Sequence, residues 1–174
     1  MNGLRRYALV LSVYPNTRGF AFVLFEGPLS PYDWAVKDVR GRSKHRRCLA
    51  AITSILDRYQ PNVVVLQDTS PSGTRRVRWV NNLNADIAES AEGRGIPVHA
   101  YSRKEVYDAF AYFGVTNKQI VAEAIAKHIP AFERYLPPPR KPWKSEDARM
   151  GIFDAAALAL TFFQDGTDGN RMAP

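Results

Sequence analysis

Cysteine is nearly absent from this chain. Cys48 stands alone, which excludes an internal disulfide, and its place in a helical apolar pattern suits a thiol acting as a small core residue. A reduced, cytoplasmic setting is the expectation. Histidine is scarce too: His45, His99 and His128 are scattered and have no cysteine partners, so zinc-ligand spacing is missing. No apolar run approaches the ~20 residues of a membrane span, and no charged leader followed by a long apolar stretch opens the sequence. Acids are outnumbered, with 17 Asp and Glu against 24 Lys and Arg, for a net charge of +7. That excess suits an anionic partner such as nucleic acid, the alternative being a basic surface with no partner. No internal repeat divides the 174 residues, and the length fits one domain with a sizeable core. Residues 1–164 are expected to form it, with 165–174 as a frayed tail.

What is present orders itself as strands first and helices later. The apolar run from Tyr7 to Val13 ends at Tyr14-Pro-Asn-Thr-Arg-Gly, and a second run follows from Phe20 to Phe25. Pro, Asn and Gly between two β-rich runs predict a hairpin. Alternation from Asp33 to Val39 adds a third strand. Cys48, Leu49, Ile52, Ile55, Leu56 and Tyr59 then recur at helical period up to Pro61, and Asn62 to Asp68 reads as a strand buried on both faces. A helical crossover into such a strand implies parallel pairing with a right-handed connection. Thr69 to Thr74 is a loop; Val77, Val80, Leu83, Ile87 and Ala91 mark a second helix, and Ile96 to Ala100 a further strand. A third helix begins at Asn117, and Leu136 to Lys144 is a stiff, basic, proline-rich connector.

The connector leads to a helix on which Ile152, Phe153, Ala156, Ala159, Leu160 and Phe163 form one buried stripe. Asp147, Gly151 and Asp154 follow at i, i+4 and i+7 and would share another face. An acid beside an alanine-rich packing surface reads either as functional or as a solvated cap. Basic residues gather near the predicted loops: Arg40, Arg42, Lys44, Arg46 and Arg47; Arg75, Arg76 and Arg78; Arg140, Lys141 and Lys144. Such clusters fit a phosphate-binding surface, or equally a solvated one. Trp79 and Trp143 lie in or beside them, where packing is the ordinary role and base stacking the other.

The order of elements and five stretches together resemble the RuvC family of Holliday junction resolvases. The stretches are Val10 to Phe22, Tyr59 to Asp68, Arg78 to Tyr101, Gly114 to Val121 and Gly151 to Leu160. The resemblance implies an α/β, ribonuclease H-like fold: a mixed five-stranded sheet, antiparallel through strands 1-2-3 and then parallel, flanked by helices. It also implies branched DNA as partner, basic contacts at Arg103, Lys104 and Lys118 as well as at the clusters above, and a homodimer through the helix from Val77 to Ala91. The Asn81, Asn82 and Asn84 face of that helix sits poorly with a purely apolar interface. Such nucleases gather about four carboxylates around two Mg²⁺ ions. In this chain Tyr14, Gln67 and Gly151 occupy three of the corresponding positions, and Asp154 is the acid that remains. A phenol and an amide cannot replace anions around a hard cation. The expectation is a nucleic-acid-binding protein without two-metal cleavage and without a resident cofactor. Its alternatives are a Mg²⁺- or Mn²⁺-dependent nuclease with rearranged acids (Asp68, Asp147 and Asp154) and a protein-interaction module on the same fold. Asp68, one residue past Gln67, would need a bulge to reach the same face.

Overall fold

The structure is a computed structural model. It describes residues 9–69, 75–114 and 117–170, the side chains of 75–77 and 167–170 excepted. Strands β1 (Val10–Asn16), β2 (Gly19–Phe25) and β3 (Pro31–Asp38) form an antiparallel meander. Tyr14, expected to open the hairpin turn, is instead inside β1 and pairs with Ala21. The turn is tighter than the sequence suggested, because the Asn16 side chain accepts hydrogen bonds from the N–H groups of Arg18 and Gly19 at 2.9 and 3.1 Å. Gly19 has φ +153°, and a Cβ there would lie 2.0 Å from the carbonyl oxygen of Lys37. No other residue fits that corner.

Helix α1 (Lys44–Tyr59) ends where Gln60 turns into the left-handed region at φ 45°, its N–H still bonded to the Leu56 carbonyl. Strand β4 (Val63–Gln67) then runs parallel to β1, and β5 (Val98–Tyr101), reached through α2 (Arg75–Glu92), runs parallel to β4. The strand order is β3-β2-β1-β4-β5 in one five-stranded sheet, the mixed arrangement expected.

Side-chain alternation divides the core into two layers. Leu11, Val13, Phe22, Leu24, Val64 and Leu66 face α1 and α2, whereas Val10, Val23, Phe25, Val63 and Val65 face the later helices. The second layer is built on α5 (Met150–Asn170). From Ile152 to Ala159 every side chain of α5 except Asp154 is buried, so this helix is apolar almost all round rather than along one stripe. Its backbone continues to Asn170, into the stretch expected as a tail, and Asp165 meets the Tyr101 hydroxyl.

Three further elements were not evident from periodicity. Helix α3 (Arg103–Ala109) is short, but Ser102 and Glu105 close a capping box on it, with Ser102 Oγ accepting from the Glu105 N–H at 3.2 Å. Two 3₁₀ segments, Ala111–Phe113 and Pro130–Tyr135, flank α4 (Lys118–His128). Among the described residues no helix is long and apolar enough to cross a membrane.

Candidate nucleic-acid interface

The carboxyl ends of β1 and β4 point at the first turns of α5. By strand parity Tyr14 and Gln67 face the α5 layer, and they meet Asp154 and Lys118 in the wall of a cavity of about 30 Å³. Lys118 is the first residue of α4, whose start is set by Asn117 accepting from the Ile120 N–H at 3.1 Å. An ammonium at a helix N-terminus opposes the helix dipole. The opposition is offset because Lys118 Nζ donates to Asp154 Oδ2 at 3.2 Å, to Glu146 Oε1 at 3.0 Å and to the Tyr14 hydroxyl at 3.3 Å. It also lies 5.4 Å from the centre of the Tyr14 ring.

Burial sets the electrostatics. The Asp154 side chain is 13% exposed, against 27% for Lys118 and 46% for Glu146. Desolvation pushes the Asp154 carboxyl up to about 6, although Lys118 pulls the other way. The Tyr14 hydroxyl is likewise raised, by burial first and then by the Asp154 charge. Burial opposes the charge on Lys118, but Asp154, Tyr14 and Glu146 more than compensate and hold its pKa above the usual lysine value.

Gly151 has a reason of its own. A Cβ there would sit 2.9 Å from the Ala21 Cβ, so this is where α5 presses closest to β2. A carboxylate at 151 would require the helix to move away from the sheet.

The structure corrects the reading of Asp147. Helix α5 starts at Met150, so Asp147 precedes it and does not share a helical face with Asp154. Its Oδ2 pairs with Arg149 Nη2 at 2.7 Å, and that hydrogen bond holds its carboxyl below the usual range. Asp68 lies just past β4, its N–H bonded to the Tyr101 carbonyl at 2.8 Å. It lines a neighbouring groove of about 610 Å³ with Gln67, Thr69, Arg103, Lys104 and Lys118, not the cavity beside Asp154. Glu146 was missed altogether. The only signal was its position ahead of the helix, and it takes part because the connector brings it to Lys118 at the start of α4.

The basic residues separate into distinct groups. Lys118 and Arg103 face the cavity and the groove. Lys104 lines the groove while pairing with Asp108 at 2.7 Å. Lys44 donates to the Thr17 carbonyl and lies 4.5 Å over the Trp79 ring, while Arg47 donates to the Arg40 carbonyl at 2.8 Å. Arg42, Arg46, Arg78 and Lys144 are exposed. The side chains of Arg75 and Arg76 lie outside the described residues, as do residues 70–74 of the loop before them. Trp79 packs against the α1–α2 core, but Trp143, for which packing was the expected role, is 76% exposed. The asparagines of α2 are also not one outward face: Asn84 is buried and donates to the Gln67 carbonyl at 3.1 Å, and Asn81 accepts from Thr69.

The divalent ions that the resemblance implies do not fit this donor set. Mg²⁺ and Mn²⁺ favour several anionic oxygens. Around Asp154 the neighbours are a phenol, an amide and one further carboxylate, Glu146, and the Lys118 ammonium bridges the two acids where a metal ion would have to sit. Among the described residues no group of three or more His, Cys, Asp or Glu side chains is placed to hold a metal ion.

A five-stranded mixed sheet of this order, closed by a core helix with its acid at the strand ends, is a ribonuclease H-like fold. Solved structures agree. Thermus thermophilus RuvC in complex with a Holliday junction substrate superposes with a TM-score of 0.70 at 19% identity, over 93% of this chain and 97% of that one. T. thermophilus RuvC in a second structure gives 0.65 at 19% identity over 92% and 96%. The Fowlpox virus resolvase with Holliday junction DNA gives 0.53 at 13% identity over 90% and 99%. At such identities the likeness is one of fold. No protein-family model matches the sequence, and no curated protein matches it either.

Proposed function

We propose that this chain binds branched DNA in the cleft around Lys118 and Arg103 and does not cleave it by a two-metal mechanism. The observation that carries the second half is the Lys118 ammonium, 3.2 Å from Asp154 and 3.0 Å from Glu146. It supplies positive charge where the nuclease chemistry would need a cation, but it offers neither a metal-activated water nor an open coordination position. Support for the first half comes from the fold shared with junction-bound structures, from the net charge of +7, and from the groove lined by Arg103, Lys104 and Lys118. A duplex phosphate there would compete with Asp108 for Lys104 and with Asp154 and Glu146 for Lys118.

The proposal includes a homodimer through the helix 77–91, which rests on the resemblance and is tested by sedimentation against the 19.6 kDa monomer mass. Gel shifts of a four-way junction over a salt series, run beside a Mn²⁺ cleavage assay, test the rest. The expected result is binding that weakens as a power of salt concentration, with no nicking. Mn²⁺-dependent nicking that is lost in Asp154→Asn would instead establish an active nuclease with rearranged acids. Absence of salt-sensitive binding would leave the protein-interaction reading.

A further inference from the structure

The proline-rich connector holds an aromatic side chain that is largely exposed among the described residues. Lys144 N–H bonds to the Lys141 carbonyl at 3.0 Å, which closes a β-turn with Pro142 and Trp143 as its central residues. Trp143 therefore projects from the tip, with 76% of its surface exposed. The turn is held at both ends. On one side Gln119 Nε2 donates to the Pro137 carbonyl at 3.1 Å, and on the other Arg18 Nη2 donates to Ser145 Oγ at 3.3 Å. Pro138, Pro139 and Pro142 stiffen what lies between. An indole left in water loses the burial that normally stabilises so large an apolar group, so its exposure at a braced turn calls for an occupant.

The charges around it indicate which. Arg140, Lys141 and Lys144 surround Trp143, and the Lys141 ammonium lies 5.6 Å over its ring. None of the three is paired with a carboxylate among the described residues. The nearest acids along the chain, Glu146 and Asp147, are already engaged by Lys118 and Arg149. Arg140 also lines a groove of about 390 Å³ together with Tyr14, Arg18 and Asp154, so the turn stands at the rim of the cleft. A protein partner would favour an apolar, lysine-poor surround. A flat π-face framed by unpaired cations fits a nucleobase whose flanking phosphates meet the lysines and arginine.

We propose that Trp143 is a stacking platform for an unstacked base of DNA lying in the cleft. The inference rests on the DNA-binding reading above and adds to it the recognition of unpaired or branch-point bases. The test uses the full chain with a four-way junction carrying 2-aminopurine at the branch point. Wild-type protein is expected to quench the probe on binding. Trp143→Ala should abolish the quench and weaken junction binding roughly five- to a hundredfold. Trp143→Phe should restore most of both, and the salt slope should be unchanged in either variant because no phosphate contact is lost. Trp143 packs against no core residue, so both variants should keep the wild-type melting temperature. Unaltered affinity and quench in Trp143→Ala would overturn the inference while leaving the DNA-binding reading intact. Failure of the wild-type protein to bind the junction would overturn both.

Discussion

Replacing Asp154 by asparagine keeps the shape of the side chain and removes its titration, so the pH dependence of stability isolates its electrostatics. In the folded protein the carboxyl titrates at about 6, against a reference value of 3.8. That is a change of roughly two orders of magnitude in proton affinity, or about 3 kcal/mol. The sign follows from proton counting. Between these two values the folded state keeps a proton that the unfolded chain has released, so stability must fall as pH rises. The contribution is fully present below pH 3.8 and is lost by the time pH passes about 6. The groups facing Asp154 do not mask this. Lys118 and Tyr14 titrate in the alkaline range, both raised, and Glu146 is common to both proteins. Urea unfolding of wild type and Asp154→Asn at intervals from pH 4 to pH 7 measures the difference. The wild-type stability should drop relative to the variant by about 2.4 kcal/mol across that range, the rest of the effect lying below pH 4. Parallel curves would refute the claim that burial outweighs the Lys118 pair, and a rise would reverse it.

Three other outcomes are expected. Gly151→Asp should destabilise the fold by roughly 1–3 kcal/mol in thermal or urea unfolding, because its Cβ meets the Ala21 Cβ at 2.9 Å, and Ala21→Gly should recover part of the loss. Ser12→Ala should be neutral or stabilising by up to about 1 kcal/mol, since the buried Ser12 hydroxyl has no hydrogen-bond partner among the described residues. The triple variant Tyr14→Asp, Gln67→Glu, Lys118→Ala should bind Mn²⁺ detectably by electron paramagnetic resonance where the wild type does not. It surrounds Asp154 with carboxylates and removes the competing ammonium.

Much of the architecture was readable from residue order. Period-two and helical-period patterns located β1 to β5, α1, α2, α4 and α5, because burial of one face or stripe leaves its trace directly in the chain. The short α3 left a weaker trace: its apolar content is slight, and it is specified by the Ser102 and Glu105 cap rather than by periodicity. That Gln67 and Asp68 point apart was also legible, since strand residues alternate strictly, whereas Tyr14 looked like the first residue of a turn and only the family resemblance grouped it with Gln67 and Asp154.

What the linear order could not convey is who meets whom across the cleft. Asp147 looked like a partner of Asp154 by spacing, yet the helix begins three residues later and Arg149 takes its carboxylate. Glu146 looked like a connector residue and joins Lys118. Gly151 looked like a missing acid and proves to be a contact point between α5 and β2. Composition and periodicity determined the layers, because burial is a property each residue carries with it. The ion pairs around Lys118 and the exposed indole of Trp143 were decided only in three dimensions, because charge pairing and surface access depend on where distant segments come to rest.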